Sequence, residues 1–163
     1  MRKISSPAII AAAALALSGC AAAEPTETTS GTLCDPVESG NASEVVEVSG
    51  ERDGEIELVF PTPLTTEFSQ TTIIETGEGR DFTGEALSRF QYSIYNGSSG
   101  ELIGSTGFEG EQLAKVMATV DAIPNFCNVF AGIPLGSSFV TVFAPTDFHD
   151  GLGNPDFGIG AED

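Results

Sequence analysis

From residue 44 onward, the apolar positions of this chain recur with the periods of short strands. Glu44 to Val48, Glu55 to Phe60 and Thr71 to Glu75 are brief runs rich in Val, Ile and Thr, and the second is closed by Pro61 and Pro63. Turn chemistry separates them at Arg52-Asp53-Gly54 and at Thr76-Gly77-Glu78-Gly79. Between Leu87 and Tyr95 two sets of side chains alternate, and Phe90, Tyr92 and Ile94 on one side predict a strand with an apolar face on a core. Residues 101 to 109 predict its return strand, and the unbroken apolar run Ser138 to Ala144 suits a central strand. The single good helix candidate is short. Pro124 suits a first helical position, Phe126, Val129, Phe130 and Ile133 share one face, and Gly132 can end it. Many strands with one helix between two late strands predict an antiparallel α+β fold, without internal repeats.

The N-terminus changes the picture of where this fold works. Arg2 and Lys3 precede an apolar run from Ala8 to Leu17 and then Leu17-Ser18-Gly19-Cys20, the layout of a secretory leader too short to span a bilayer with ease. The small residues before Cys20 resemble a lipobox, which makes Cys20 a lipid attachment point on the outer side of the cytoplasmic membrane. An ordinary signal peptide cut near Ala23 is the alternative. Either way residues 1–19 are removed, and residues 20–43, opening with small polar residues broken by Pro25, read as a tether to a single domain over 44–163.

Removing Arg2 and Lys3 leaves 4 basic residues against 24 acidic ones, a charge that excludes phosphate-backbone binding and with it nucleic acid as a partner. The carboxylates are scattered through turns and solvent-facing strand positions, which suits solubility outside the cell. With Cys20 lipidated, Cys34 and Cys127 remain as an even pair in an oxidising compartment and are expected to form a disulfide. One histidine and no C-x-x-C pair give no support to a redox motif, a zinc site or any other cofactor.

The order of motifs carries a family resemblance. Phe60-Pro61-Thr62-Pro63-Leu64, the Tyr95-Asn96-Gly97 hairpin, Ile123-Pro124-Asn125-Phe126 before the short helix and the Gly158 to Asp163 ending together resemble FKBP-type prolyl isomerases, in particular the secreted lipoprotein members of Gram-positive bacteria. The resemblance runs from about Thr71 to Gly160. It implies a curved antiparallel sheet wrapped on one short helix, with an apolar pocket between them. Tyr95 matches the aromatic of the pocket wall, and Ile103 stands in for a pocket phenylalanine. Ile123 matches the residue whose backbone N–H meets the substrate carbonyl, and Phe126 stands in for the tryptophan of the pocket floor. His149 lies near the place of a tyrosine that hydrogen-bonds substrate. Gly104 replaces a frequent aspartate, Asp150 replaces a glycine, and the chain stops at Asp163 where the family continues into a last strand, so the sheet is expected to lack it.

What the resemblance implies is an enzyme that needs neither metal nor nucleophile. Rotation about an X–Pro bond crosses a barrier of about 18–20 kcal/mol and takes roughly tens to hundreds of seconds unaided. The twisted amide carries less charge separation than the planar one, so a dry apolar pocket favours it. The expected partners are proline-containing segments of exported proteins, met by a monomer at the membrane surface. A second reading is a binding or chaperone module on the same scaffold, favoured by the departures at Gly104 and His149. A third starts from Thr141-Val142-Phe143-Ala144-Pro145-Thr146-Asp147, which resembles a signature box of fasciclin adhesion domains but has only 16 residues after it.

Overall fold

The computed structural model describes residues 33–50, 56–106, 113–155 and 158–163. The leader, Cys20, the expected turn at Arg52-Asp53-Gly54 and the far end of the expected return strand lie outside them. In chain order the elements are α1 (Asn41–Glu44), β1 (Glu47–Gly50), β2 (Ile56–Val59), β3 (Gln70–Glu75), β4 (Ala86–Phe90), β5 (Ser93–Tyr95), β6 (Leu102–Ser105), β7 (Ala114–Ala118), α2 (Phe126–Phe130), β8 (Ser138–Val142) and α3 (Pro145–His149). The chain is a small α+β protein whose strands all pair antiparallel.

Among the described residues three helices, each only one turn or so long, replace the single one expected. The main helix starts at Phe126 rather than at Pro124, because Asn125 caps it: its side-chain oxygen accepts the N–H of Asn128 at 3.0 Å. α3 occupies a stretch that reads as a loop, with Pro145 at its first position, where a missing N–H costs nothing. α1 lies in the stretch assigned to the tether. Its cap residue, Gly40, has no side chain, and Gln70 supplies the missing acceptor by taking the N–H of Ala42 at 2.8 Å.

The segment before α1 is likewise docked on the folded body. Cys34 is fully buried, the N–H of Asp35 is accepted by the Asn128 side chain at 3.0 Å, and the N–H of Thr71 is accepted by the Glu38 carbonyl at 2.9 Å. Cys34 and Cys127, both without exposed surface, stand at disulfide distance, with Cα atoms 5.4 Å apart.

The expected strand over 87–95 is broken into β4 and β5. At the break the N–H of Tyr92 goes to the Thr106 hydroxyl at 3.0 Å instead of a ladder carbonyl. β5 and β6 form the expected hairpin. Asn96 closes it, its side-chain oxygen accepting the N–H groups of Ser98 and Ser99 at 2.8 and 3.0 Å. A side chain at Gly97 would collide with the Leu64 carbonyl, so only glycine fits there. β7 is a strand that composition hides: Ala, Lys and Met favour helix, yet Ala114, Val116 and Ala118 face inward while Lys115 and Met117 face out.

The strands do not join into one continuous curved sheet. They form four two-stranded ladders, β1 with β2, β3 with β8, β4 with β7 and β5 with β6, and β8, expected as a central strand, pairs on one side only among the described residues. The reason lies in α2. β4 and β8 both reach its aromatic face, so side-chain rings rather than backbone hydrogen bonds connect the two ladders. Phe130 has ring neighbours Phe82, Phe90, Phe126 and Phe139 at centroid distances of 5.4 to 6.0 Å.

Two outcomes follow from this architecture. Replacing Cys34 and Cys127 by serine, or adding reductant, is expected to cost about 2–5 kcal/mol in denaturant unfolding, since the two lie 93 residues apart. An unchanged midpoint would exclude a covalent link. Arg89 and Lys115 stand directly opposite each other on β4 and β7, where like charges repel. Lys115→Glu is expected to raise stability by about 0.2–1 kcal/mol, measured by thermal unfolding at low salt.

Candidate functional site

The turn leading into α2 is held by a single side chain. While the oxygen of Asn125 caps the helix, its amide nitrogen donates to the Val120 carbonyl at 2.8 Å. This fixes residues 120–125 as a rigid bend and pushes Ile123 outward, 56% exposed. The backbone N–H of Ile123 has no partner among the described residues and lies beside an exposed apolar side chain.

Beside this bend lies an open cleft of about 390 Å³. Its apolar walls come from Val37 of the docked N-terminal segment, from Ile123 and Val129, and from Phe143 at the end of β8. Its polar rim includes Asp121 and Asp147. The Asp147 carboxylate is held in place by the Ser69 hydroxyl, which donates to it at 2.7 Å and accepts the N–H of Ala144 at 3.0 Å.

Of the residues singled out by sequence, Ile123 alone lines the cleft. Phe126 lies one ring behind it, edge-on to Phe143 at 6.4 Å and packed against Phe90 and Phe130. Phe143 in turn meets Phe148 at 5.2 Å, and Phe148 meets the His149 ring at 6.1 Å. A continuous aromatic path therefore joins the cleft wall to Phe126 on one side and His149 on the other. Tyr95 packs edge-on against Phe60 at 6.1 Å, and Ile103 sits at the β5–β6 irregularity between Leu102 and Gly104. Neither Tyr95 nor Ile103 lines the cleft. A side chain built at Gly104 would meet no atom within 4 Å, so the position has room for one.

His149 is tied to main chain. Its Nδ1 accepts the N–H of Gly153 at 2.8 Å, and its Nε2 lies 3.3 Å from the backbone oxygen of Asp163. Asp163 also accepts the Asn96 side-chain amide at 3.2 Å and the Gly160 N–H at 2.7 Å. The Tyr95-Asn96-Gly97 hairpin and His149 are thereby linked through one residue. Among the described residues no group of His, Cys, Asp or Glu is arranged to hold a metal ion.

Asp121 is a cleft residue that sequence reasoning did not single out, and Phe143 and Asp147 stood out only within the run Thr141 to Asp147, not as pocket residues. Phe143 sits in the apolar run expected to be a strand, and the signal available was its place on the same side of that run as Phe139. The arrangement brings together apolar side chains, one backbone N–H without a partner among the described residues and two carboxylates. Comparison with models of protein families, with curated proteins and with solved structures finds no match.

Hydrogen bonds from Ser98, the Gly160 backbone and Asn96, with the neighbouring His149, hold the Asp163 carboxyl below its usual range. A carboxyl depressed in the folded chain stabilises it at and above the ordinary carboxylate range, and that contribution is lost as pH falls through the depressed value. An acid titration followed by amide NMR is expected to show the Asn96 and Gly160 signals moving together below that range. Asn96→Ala should shift the midpoint upward, and an unmoved midpoint would exclude this link.

Proposed function

We propose that this chain is an exported, lipid-anchored prolyl isomerase of the FKBP type, which accelerates X–Pro rotation in extended segments of proteins outside the cytoplasmic membrane. The observation that carries the reading is the bend at Ile123. A backbone N–H with no partner among the described residues stands beside a cleft whose apolar part includes Phe143, backed by the Phe126 ring. A donor so placed can take a substrate carbonyl while the apolar surface receives the proline ring and removes water from the amide. The antiparallel α+β architecture, the hairpin at Tyr95-Asn96-Gly97 and a short aromatic helix following Ile123-Pro124 support it.

A binding or chaperone module on the same scaffold is the second reading, and particular observations favour it. Both ring nitrogens of His149 are engaged by main-chain groups, and Tyr95 and Ile103 stand outside the cleft. Such a module would hold proline-containing segments without lowering the rotational barrier.

A protease-coupled isomerisation assay on the chain without its leader separates the two. The isomerase reading expects acceleration of X–Pro rotation that falls tenfold or more in kcat/KM with Ile123→Asp, a change at an exposed position that leaves the melting temperature nearly unchanged. A folded protein that binds several X–Pro peptides without accelerating any of them would make the binding module the correct account.

A further inference from the structure

Resting on the reading of the cleft beside Ile123 as the peptide site, we propose that this cleft selects segments in which a lysine or arginine flanks the bound apolar residue. Asp121 and Asp147 line it together with Val37, Ile123, Val129 and Phe143, and no Lys, Arg or His is among its lining residues. The Asp121 carboxylate bonds no other described residue. That of Asp147 is oriented by Ser69 through one oxygen, and its other oxygen bonds no described residue. Both residues are exposed, so a cationic group can approach either carboxylate without a large desolvation cost.

Shape and charge agree on the occupant. Lysine and arginine lay an aliphatic stem along apolar surface while keeping the charged head in water, and the cleft is lined by both apolar side chains and carboxylates. Its volume of about 390 Å³ lies within the range of roughly 300–1,000 Å³ that suits a ligand site. A formal net charge of −18 repels acidic segments and speeds the encounter with basic ones. Exposed ion pairs are weak and screened, so two of them give a preference of about three- to tenfold that shrinks as salt rises.

The test uses the chain without its leader and three dye-labelled peptides that differ only in the residue before proline, which is Lys, Leu or Glu. Kd is read by fluorescence anisotropy at low and high salt, and the Ile123 amide is followed by NMR. The expected result is a Lys peptide bound about three- to tenfold tighter than the Leu peptide at low salt, with the Glu peptide weakest and the preference largely gone at high salt. The double variant Asp121→Asn, Asp147→Asn should abolish the preference for the Lys peptide over the Leu peptide. Glu47→Gln with Glu57→Gln removes the same charge from β1 and β2 and should preserve it. Loss of the preference in both variants would assign it to net charge and overturn the proposal, as would equal binding of the three peptides with the Ile123 amide perturbed. Peptide binding that leaves the Ile123 amide unperturbed, or no binding at all, would overturn the site itself.

Discussion

A five-residue helix has no stability of its own, because the first turn fixes several residues for one hydrogen bond and isolated helices below about 12–15 residues are marginal in water. α2 exists because its rings are clasped. Phe126 and Phe130 stack on each other at 5.5 Å, Phe90 of β4 touches both, and Phe139 and Phe143 meet them from β8 and the residue that follows it. Each such pair adds about 0.5–1.5 kcal/mol beyond the area it buries. β4 and β8 share no ladder, and the helix is what holds them in one body.

The reverse side of α2 carries the other half of this constraint. Cys127 meets Cys34 there, Asn128 accepts the N–H of Asp35 through its side chain, and its carbonyl accepts the N–H of Val37. One turn of helix therefore recruits both β8 and the N-terminal segment, and these two supply Phe143 and Val37 to the cleft wall. The cleft is a by-product of how α2 is held. Its shape depends on Asn125 and Asn128, two polar residues whose hydrogen bonds set the bend and the docking of the N-terminal segment.

Much of the fold was legible in the residues. The alternation around Phe90, the turn at Asn96-Gly97, the return strand after it, the aromatic face of residues 126–133 and the run from Ser138 all correspond to elements of the structure, and Cys34 and Cys127 meet. β7 was hidden because Ala114, Lys115 and Met117 favour helix, and its pairing with β4 overrides that preference. α1 was hidden because its capping acceptor comes from Gln70, far along the chain. Of the site, Ile123 was legible as a position before a proline and a short helix. Asp121 was not, and Phe143 and Asp147 were visible only as members of the run Thr141 to Asp147, since a residue's place in a strand or a bend says nothing of the cleft beside it.

Hydrophobic periodicity, turn residues and charge composition determined by themselves several of the strands, the helix after Pro124, the antiparallel α+β class and the strongly acidic balance. Only the tertiary structure decided that the strands pair as separate ladders, that Phe126 is packed among rings while Phe143 faces the cleft, and that His149 is spent on main-chain groups. The physical reason is that a pattern of apolar positions encodes which face of an element avoids water, whereas the neighbour that covers that face is set by packing between segments far apart in the chain.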